Sequence, residues 1–292
     1  MASDRRPGNL AHLERLLNAW SREREDDHAT AGRLRRLVAI SAFATMLDGL
    51  ADDGDRHLAF KGGASMEFRF GAAARASRDV DAVADVDFDH AFAEISRRLR
   101  LGWEGFTGTL TERTEITRAG IVPAPQRCKV KLSYLERPFA TLAFELGRAE
   151  ANSFEVLEGV ANAINMDKVQ LGPTSDVVVL GVHYQIAQKL HACTEIPAEG
   201  TNPRVHDLYD ILLLAGLAER TGFARTRAAC EDTFAHRNRH AWPPALPEWD
   251  DWEFLWDSID IPDDIRYPYL EARNRVENLI ETIGSTGADR EP

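Results

Sequence analysis

The sequence has little cysteine, no long apolar run and no excess of basic residues, and each shortage excludes a class of protein. Its 292 residues include three cysteines, far apart, which argues against a disulfide framework and favours free thiols in a reducing cytoplasm. No apolar run approaches the ~20 residues that cross a bilayer, and none follows the N-terminal arginines, so we expect neither a membrane span nor a secretory signal. The net charge of -12 argues against a protein that only coats nucleic acid.

The hydrophobic pattern predicts an α+β protein with a mixed sheet. Apolar residues at helical spacing predict helices between residues 9 and 50, with Thr30 as an N-cap. Short strands are predicted around a glycine pair, and alternating apolar residues predict a β-rich section at 126–150. We therefore expect a first region at 1–170, with a helical N-terminal segment, and a mainly helical region at 171–292 that completes an active site.

Two aspartates one residue apart, in SRDVD at 77–81, form the first candidate site. On a strand, Asp79 and Asp81 would point to the same face, with Cα atoms ~6–7 Å apart. Each carboxylate would then raise the pKa of the other unless a cation lies between them, and Mg²⁺ is such a cation. A solvated acidic strand edge would explain the same pattern.

A glycine pair lies upstream of these acids, between a predicted strand and a predicted short helix. Backbone N–H groups of Gly62 and Gly63 could approach a phosphate at the positive end of that helix, and Ser65 could add a hydroxyl. Arg75 and Arg78 nearby could neutralise phosphate charge, although surface arginines are usually only solvated. A glycine pair alone is more often only a tight turn, so its position beside the two acids is what makes it a candidate.

Further charged side chains lie downstream. Glu145 interrupts the apolar alternation of TLAFELG, which makes it either a third metal ligand or an exposed acid on an amphipathic strand. Lys189 lies on a predicted helix in YQIAQKLHA, and Asp207 and Asp210 lie on the next one in RVHDLYD. A lysine of this kind forms a plain ion pair with an aspartate or holds triphosphate oxygens.

The segments KGGAS, SRDVD, FATLAFEL, YQIAQKLHA and RVHDLYD, in this order, resemble the AbiEii-type nucleotidyltransferase toxins, and in particular the MenT toxins of mycobacteria. The resemblance implies a polymerase-β-like nucleotidyltransferase core, followed by a helical C-terminal region, in a cytoplasmic protein. It also implies Mg²⁺-dependent transfer of a nucleoside monophosphate from an NTP to the 3′ end of tRNA, which blocks aminoacylation and growth. A cognate AbiEi-type antitoxin is the implied protein partner.

The same resemblance assigns a role to each candidate residue by its position in the motifs. The catalytic residues are Asp79, Asp81, Glu145, Lys189 and Asp210, of which the first three are also the metal ligands. The residues assigned to the nucleotide or its phosphates are Lys61, Gly62, Gly63, Ser65, Ser77, Arg78 and Asp207.

Two alternatives to tRNA modification remain open from the sequence. One is transfer of the nucleoside monophosphate to a protein hydroxyl, and the other is a module that binds a nucleotide without turnover. An RNA acceptor also requires a basic surface. The candidates are GRLRR at 32–36, RRLR at 97–100 and HRNRH at 236–240, each of which could equally be a solvated helix face.

Overall fold

The structure is a computed structural model, and it describes residues 6–23, 30–51, 55–116, 123–261 and 266–286. The chain divides into two compact units, one formed by Met1–Ala149 with Leu157–Val179 and the other by Glu150–Val156 with Leu180–Pro292. The division into regions at 1–170 and 171–292 that the sequence predicts stays a prediction about domains.

The first unit contains a mixed β-sheet with helices packed against it. Its helices are α1 (Leu10–Glu23), α2 (Ala31–Leu47), α3 (Gly62–Phe70) and α4 (Phe88–Leu101). Its strands are β1 (Leu58–Lys61), β2 (Asp79–Ala84), β3 (Phe106–Leu110), β4 (Thr114–Glu115), β5 (Gln126–Tyr134), β6 (Arg137–Arg148), β7 (Leu157–Val160) and β8 (Val177–Leu180). The strand order is β3-β5-β6-β2-β1-β8-β7, with β4 also paired to β5.

Both parallel and antiparallel pairings occur in this sheet. Strand β2 runs parallel to β6 and antiparallel to β1, and β5 runs antiparallel to both β3 and β6. The predicted α+β class with a mixed sheet is therefore confirmed. Thr30 also caps α2 as predicted, because its side chain accepts a hydrogen bond from the backbone N–H of Arg33 at 3.2 Å.

The alternating pattern of β5 gives the sheet one buried face and one open face. Its apolar residues are buried, whereas the basic residues between them are exposed. On the buried side, the ring of Phe144 from β6 packs against Phe43 of α2 and Phe92 of α4, with ring centroids 5.3 and 6.5 Å apart. Burying side chains of this size contributes ~1.5–3 kcal/mol each. The helices therefore cover the buried face, and the polar residues of the strands lie on the open one.

The second unit is helical. Its helices are α5 (Val182–Thr194), α6 (His206–Glu219), α7 (Ala224–Arg237), α8 (Trp252–Asp257) and α9 (Tyr269–Ser285). Helix α5 packs on α6 and α7, and α9 packs on α6, α7 and α8. Across the described ranges of the chain, no helix is long and apolar enough to span a membrane. The three cysteines are buried and free, as predicted.

Candidate active site

A row of four charged residues crosses the open face of the sheet on adjacent strands. Lys61 on β1 pairs in register with Asp81 on β2, Asp81 pairs with Glu145 on β6, and Glu145 pairs with Arg127 on β5. Residues paired in this way have side chains on the same face, and neighbouring strands lie ~4.8 Å apart. The order of charge across the sheet is therefore positive, negative, negative, positive, and the two acids are neighbours.

Asp79 completes a carboxylate patch with Asp81 and Glu145. It lies two residues before Asp81 on β2, so both aspartates point to the same face, as predicted. Asp79 and Asp81 supply adjacent, partly exposed carboxylate oxygens, which are the ligands that a hard divalent cation prefers. In the part of the chain that the structure describes, no three His, Cys, Asp or Glu side chains are already arranged around a metal position. A third ligand would require Glu145 to move.

Glu145 is paired with Arg127 of β5. The Nε of Arg127 donates to Oε1 of Glu145 at 2.8 Å, and a terminal guanidinium nitrogen contacts the same oxygen. That nitrogen also lies 3.6 Å from Oδ2 of Asp79. The hydrogen bond to Glu145, the charge of Glu145 and the charges of the aspartates raise the pKa of Arg127, so the guanidinium stays protonated. Arg127 is a site residue that the sequence analysis missed.

The glycine pair allows α3 to begin directly against the acid-bearing strand. A Cβ on Gly62 would lie 2.6 Å from Oδ2 of Asp81, and a Cβ on Gly63 would lie 2.5 Å from Oγ of Ser77. Gly62 also has a φ of +61°, which side chains disfavour. Any other residue at either position would displace Asp81 or Ser77. Contact between this backbone and a phosphate stays a prediction.

The two serines shape the backbone around the patch. Ser65 is fully buried, and its hydroxyl donates to the carbonyl oxygen of Gly62 at 2.8 Å, which closes the first turn of α3. The hydroxyl of Ser77 donates to the carbonyl oxygen of Asp79 at 2.8 Å. Arg78, which lies between Ser77 and the first residue of β2, is exposed. Nucleotide contact by Ser65, Ser77, Arg78 or Lys61 stays a prediction.

Glu67 of α3 is a positioning residue that the sequence analysis also missed. Its carboxylate is fully buried and pairs with Arg33 and Arg36 of α2. It also accepts a long hydrogen bond of 3.5 Å from the backbone N–H of Ser77. A buried carboxylate is stable only with such partners. The available signal was an acid placed among apolar residues in SMEF.

In the second unit, Lys189 of α5 lies between two aspartates of α6. Its Nζ is 3.0 Å from Oδ1 of Asp207 and 2.5 Å from Oδ2 of Asp210, and all three side chains are buried. Asp207 also accepts from Nε of Arg204 at 2.7 Å. Burial alone would raise the pKa of Asp207, but the charges of Lys189 and Arg204 outweigh burial and hold it below its ordinary value. The structure thus brings three predicted residues together in one buried cluster with Arg204.

The arginine-rich segments considered as RNA surfaces are largely paired within the protein. Their partners are mainly carboxylates, on the same helix, a neighbouring helix or a connecting segment, together with backbone carbonyl groups. The pairs are Arg33 and Arg36 with Glu67, Arg35 with Glu14, Arg97 and Arg98 with Glu94, Arg237 with Glu150, and Arg239 with Glu195.

A mixed sheet that carries adjacent carboxylates beside a glycine-led helix defines a nucleotidyltransferase-type core. The sequence profile of the nucleotidyl transferase AbiEii toxin family, from type IV toxin–antitoxin systems, matches residues 46–280. Because this match spans most of the chain, the chain belongs to that family, as the resemblance of its motifs predicted. It is a nucleotidyltransferase and the toxin of a toxin–antitoxin pair, with a nucleotide substrate and an antitoxin partner.

A solved structure shows the same fold. The chain is similar to MenT4, a nucleotidyltransferase toxin from Mycobacterium tuberculosis H37Rv, with 20% sequence identity and a TM-score of 0.58 over 94% of this chain and 91% of that chain. An antigenic nucleotidyltransferase-like protein from Paracoccidioides brasiliensis has 16% identity over 72% of this chain and 90% of that chain, and its TM-score of 0.39 is too low to inform the fold. No curated protein sequence matches significantly. The predicted nucleotidyltransferase fold is confirmed.

Proposed function

We propose that this enzyme transfers a nucleoside monophosphate from an NTP to the 3′ end of tRNA in the cytoplasm, with Mg²⁺ as its metal, and so blocks aminoacylation. The observation that carries the proposal is the carboxylate patch of Asp79, Asp81 and Glu145 beside the glycine-led start of α3. Nucleotidyl transfer needs acids for a metal, cations for phosphates and no protein nucleophile. The patch and its flanking cations supply these groups.

Asp79 and Asp81 are the residues that would hold the metal, and Glu145 is the third carboxylate available to it. When bound, a divalent ion neutralises phosphate charge and polarises the reacting phosphoryl group. Because Gly62 has no side chain, it leaves room for the carboxylate of Asp81 beside the start of α3. Ser77 fixes the start of β2 through its hydrogen bond to the backbone of Asp79.

The proposed reaction forms one bond and breaks one. A ribose hydroxyl oxygen at the RNA end attacks the α-phosphorus, the bond from that phosphorus to the bridging oxygen breaks, and pyrophosphate leaves with the bonding electrons. The hydroxyl proton passes to a carboxylate of the patch, for which Glu145 is available beside Asp81. Lys61 and Arg78 would offset the charge of the departing pyrophosphate.

For Lys189, with Asp207 and Asp210, we propose the triphosphate-binding role that the family motifs imply. Because the Nζ of Lys189 is engaged by both carboxylates, it would exchange one of them for a phosphate oxygen when the nucleotide binds. A point charge on a flexible stem suits this exchange better than a fixed guanidinium would.

The deciding experiment incubates the purified protein with Mg²⁺, total tRNA and each of the four NTPs labelled at the α-phosphate. We expect label on tRNA that resists later aminoacylation, and a loss of ~10²–10³-fold in rate for Asp79→Asn or Asp81→Asn. Label on protein instead would favour transfer to a protein hydroxyl. NTP binding without release of pyrophosphate would favour a module without turnover.

A further inference from the structure

Strand β5 carries a strip of basic residues on the open face of the sheet. Arg127, Lys129 and Lys131 are exposed and alternate with buried apolar residues, so all three side chains point to the same side. At ~3.3 Å per residue, the strip is ~13 Å long, which equals the rise of about four stacked nucleotides at ~3.4 Å each. Its length therefore suits a short stretch of an extended polyanion.

The strip lies alongside the carboxylate patch and extends beyond it at one end. Arg127 at one end contacts Glu145. Lys129 pairs in register with Ala143 of β6, which pairs on its other side with Asp79 of β2. Lys129 and Asp79 therefore share a face two strands apart, at ~10 Å. A chain that lies along the strip would have its end beside the acids.

Lys129 and Lys131 differ from the arginine-rich segments because they are unpaired. Neither lysine makes an ion pair with any residue in the described part of the chain. Lys131 is flanked in register by exposed threonines, Thr109 on β3 and Thr141 on β6. In a protein of net charge -12, these exposed lysines and hydroxyl groups form a local group of cations and hydrogen-bond donors. Such groups are the ones that contact phosphate and sugar oxygens of nucleic acids.

We propose that the β5 strip, formed by Arg127, Lys129 and Lys131 with Thr109 and Thr141, is the track on which the phosphodiester backbone of the acceptor RNA lies while its 3′ end enters the carboxylate patch. This inference rests on the proposed function, because it presumes an RNA acceptor. Beyond that function, it specifies which surface binds the RNA, from which direction the RNA approaches the carboxylate patch and which residues contact it. Lys129 and Lys131 contribute affinity for RNA rather than chemistry.

The test compares the double variant Lys129→Gln/Lys131→Gln with a matched control that loses the same charge elsewhere. The control is Arg15→Gln/Arg22→Gln, exposed on α1, which packs on α2 away from the open face. We measure tRNA binding between 50 and 200 mM salt, the KM for NTP, and the rate of RNA labelling. The β5 variant should bind RNA at least tenfold more weakly at low salt, and its slope of log affinity against log salt should be smaller by ~1.5.

The β5 variant should keep the wild-type KM for NTP, rate at saturating RNA and thermal stability. The control should match wild type in all of these measurements and in RNA binding. The inference is overturned if RNA affinity and salt slope are unchanged in the β5 variant while wild type labels RNA. It is also overturned if the KM for NTP rises instead, or if only binding of a partner protein is lost. A wild-type enzyme that labels no RNA would refute the proposed function itself.

Discussion

At the scale of single residues, Arg127 acts as the internal counter-ion of the carboxylate patch. Its guanidinium holds Glu145 and lies 3.6 Å from Asp79, so it offsets the repulsion that the three acids would otherwise experience. In the proposed reaction, a metal ion at the patch would compete with this cation for the same oxygens. Arg127 would then set the affinity of the patch for metal.

Replacing Arg127 with Gln should tighten metal binding. With the competing charge removed, we expect Mn²⁺ to bind about fivefold more tightly, the effect of one partly exposed ion pair. The metal-free variant should also melt at a lower temperature than wild type, because the repulsion between Glu145 and the aspartates is then unrelieved. Calorimetric titration of Mn²⁺ measures the first effect, and Arg127→Lys is the control that retains charge. Weaker or unchanged Mn²⁺ binding by Arg127→Gln would contradict this role.

The glycine before α3 gives a second prediction at this scale. In Gly62→Ala the new methyl group would collide with Oδ2 of Asp81, at 2.6 Å, and would also strain the backbone at a φ of +61°. Displacement of a metal-binding carboxylate by about 1 Å can cost ~10²-fold in rate, so we expect a loss of that size in the NTP-dependent labelling assay.

Gly216 provides the matched control for this substitution. It lies at a solvent-exposed position within α6, where an added Cβ would meet nothing within 4 Å. Gly216→Ala should keep full activity and raise stability by ~0.5–1 kcal/mol. Equal activity of the Gly62 and Gly216 variants would show that the close approach to Asp81 is unimportant.

At the scale of secondary-structure elements, the buried charges of the second unit fasten α5 to α6. Lys189 comes from α5, and Asp207, Asp210 and Arg204 come from α6 and the residues just before it. The two cations balance the two anions, so the cluster has no net charge although most of it is buried. Loss of one member leaves an uncompensated charge, which is far more costly than loss of the whole group.

Asp207→Asn should therefore lower the free energy of unfolding by ~3–5 kcal/mol near neutral pH. Because the pKa of Asp207 is lowered in the folded state, its contribution is fully present above the ordinary value of 3.8 and is lost as the pH falls below that value. Urea unfolding of both proteins across this range should show the difference between them shrinking in acid. A difference that is the same at neutral pH and well below 3.8 would refute the assignment.

The elements themselves were largely predictable from the sequence, whereas their arrangement was not. The alternation on β5 and β6 is a local pattern, as is the cap of α2 by Thr30, so both could be predicted. The register that aligns Lys61, Asp81 and Arg127 depends on strands far apart in the chain, and only the packing of the whole sheet sets it.

Glu145 shows the same limit at a single position. From the sequence it was either a metal ligand or an exposed acid. Its side chain is only 9% exposed, so the second interpretation is wrong. Arg127, Glu67 and Arg204 were missed because the importance of each depends on a partner on another element or turn. Asp79, Asp81 and Glu145 could be found in the motifs, whereas Arg127, the cation that balances them, could not.

At the scale of the whole molecule, the charge distribution separates two kinds of binding. The protein has a net charge of -12, whereas the β5 strip places three exposed cations together on the open face. In the proposed reaction, phosphates of the RNA would lie along the strip, and a metal would be held by the carboxylates beside it. The strip would thereby guide a polyanion to the patch on a negatively charged protein.

Metal binding at the carboxylate patch, as proposed, would also stabilise the folded molecule. A ligand that binds only the folded state stabilises it by ~2.7 kcal/mol at a hundredfold excess over its Kd, so Mg²⁺ or Mn²⁺ should raise the melting temperature. Asp79→Asn and Asp81→Asn should remove this increase, because each deletes a charge that would bind the metal. In the absence of metal, Asp81→Asn should melt near the wild-type temperature, because the substitution also relieves repulsion from Glu145. Asp250→Asn, an exposed acid of the second unit, should retain the full increase. Differential scanning calorimetry with metal and with a chelator measures wild type, these three variants and the double variant Asp79→Asn/Asp81→Asn. If the double variant Asp79→Asn/Asp81→Asn is still stabilised by metal as strongly as wild type, the metal binds elsewhere and the carboxylate patch is not its site.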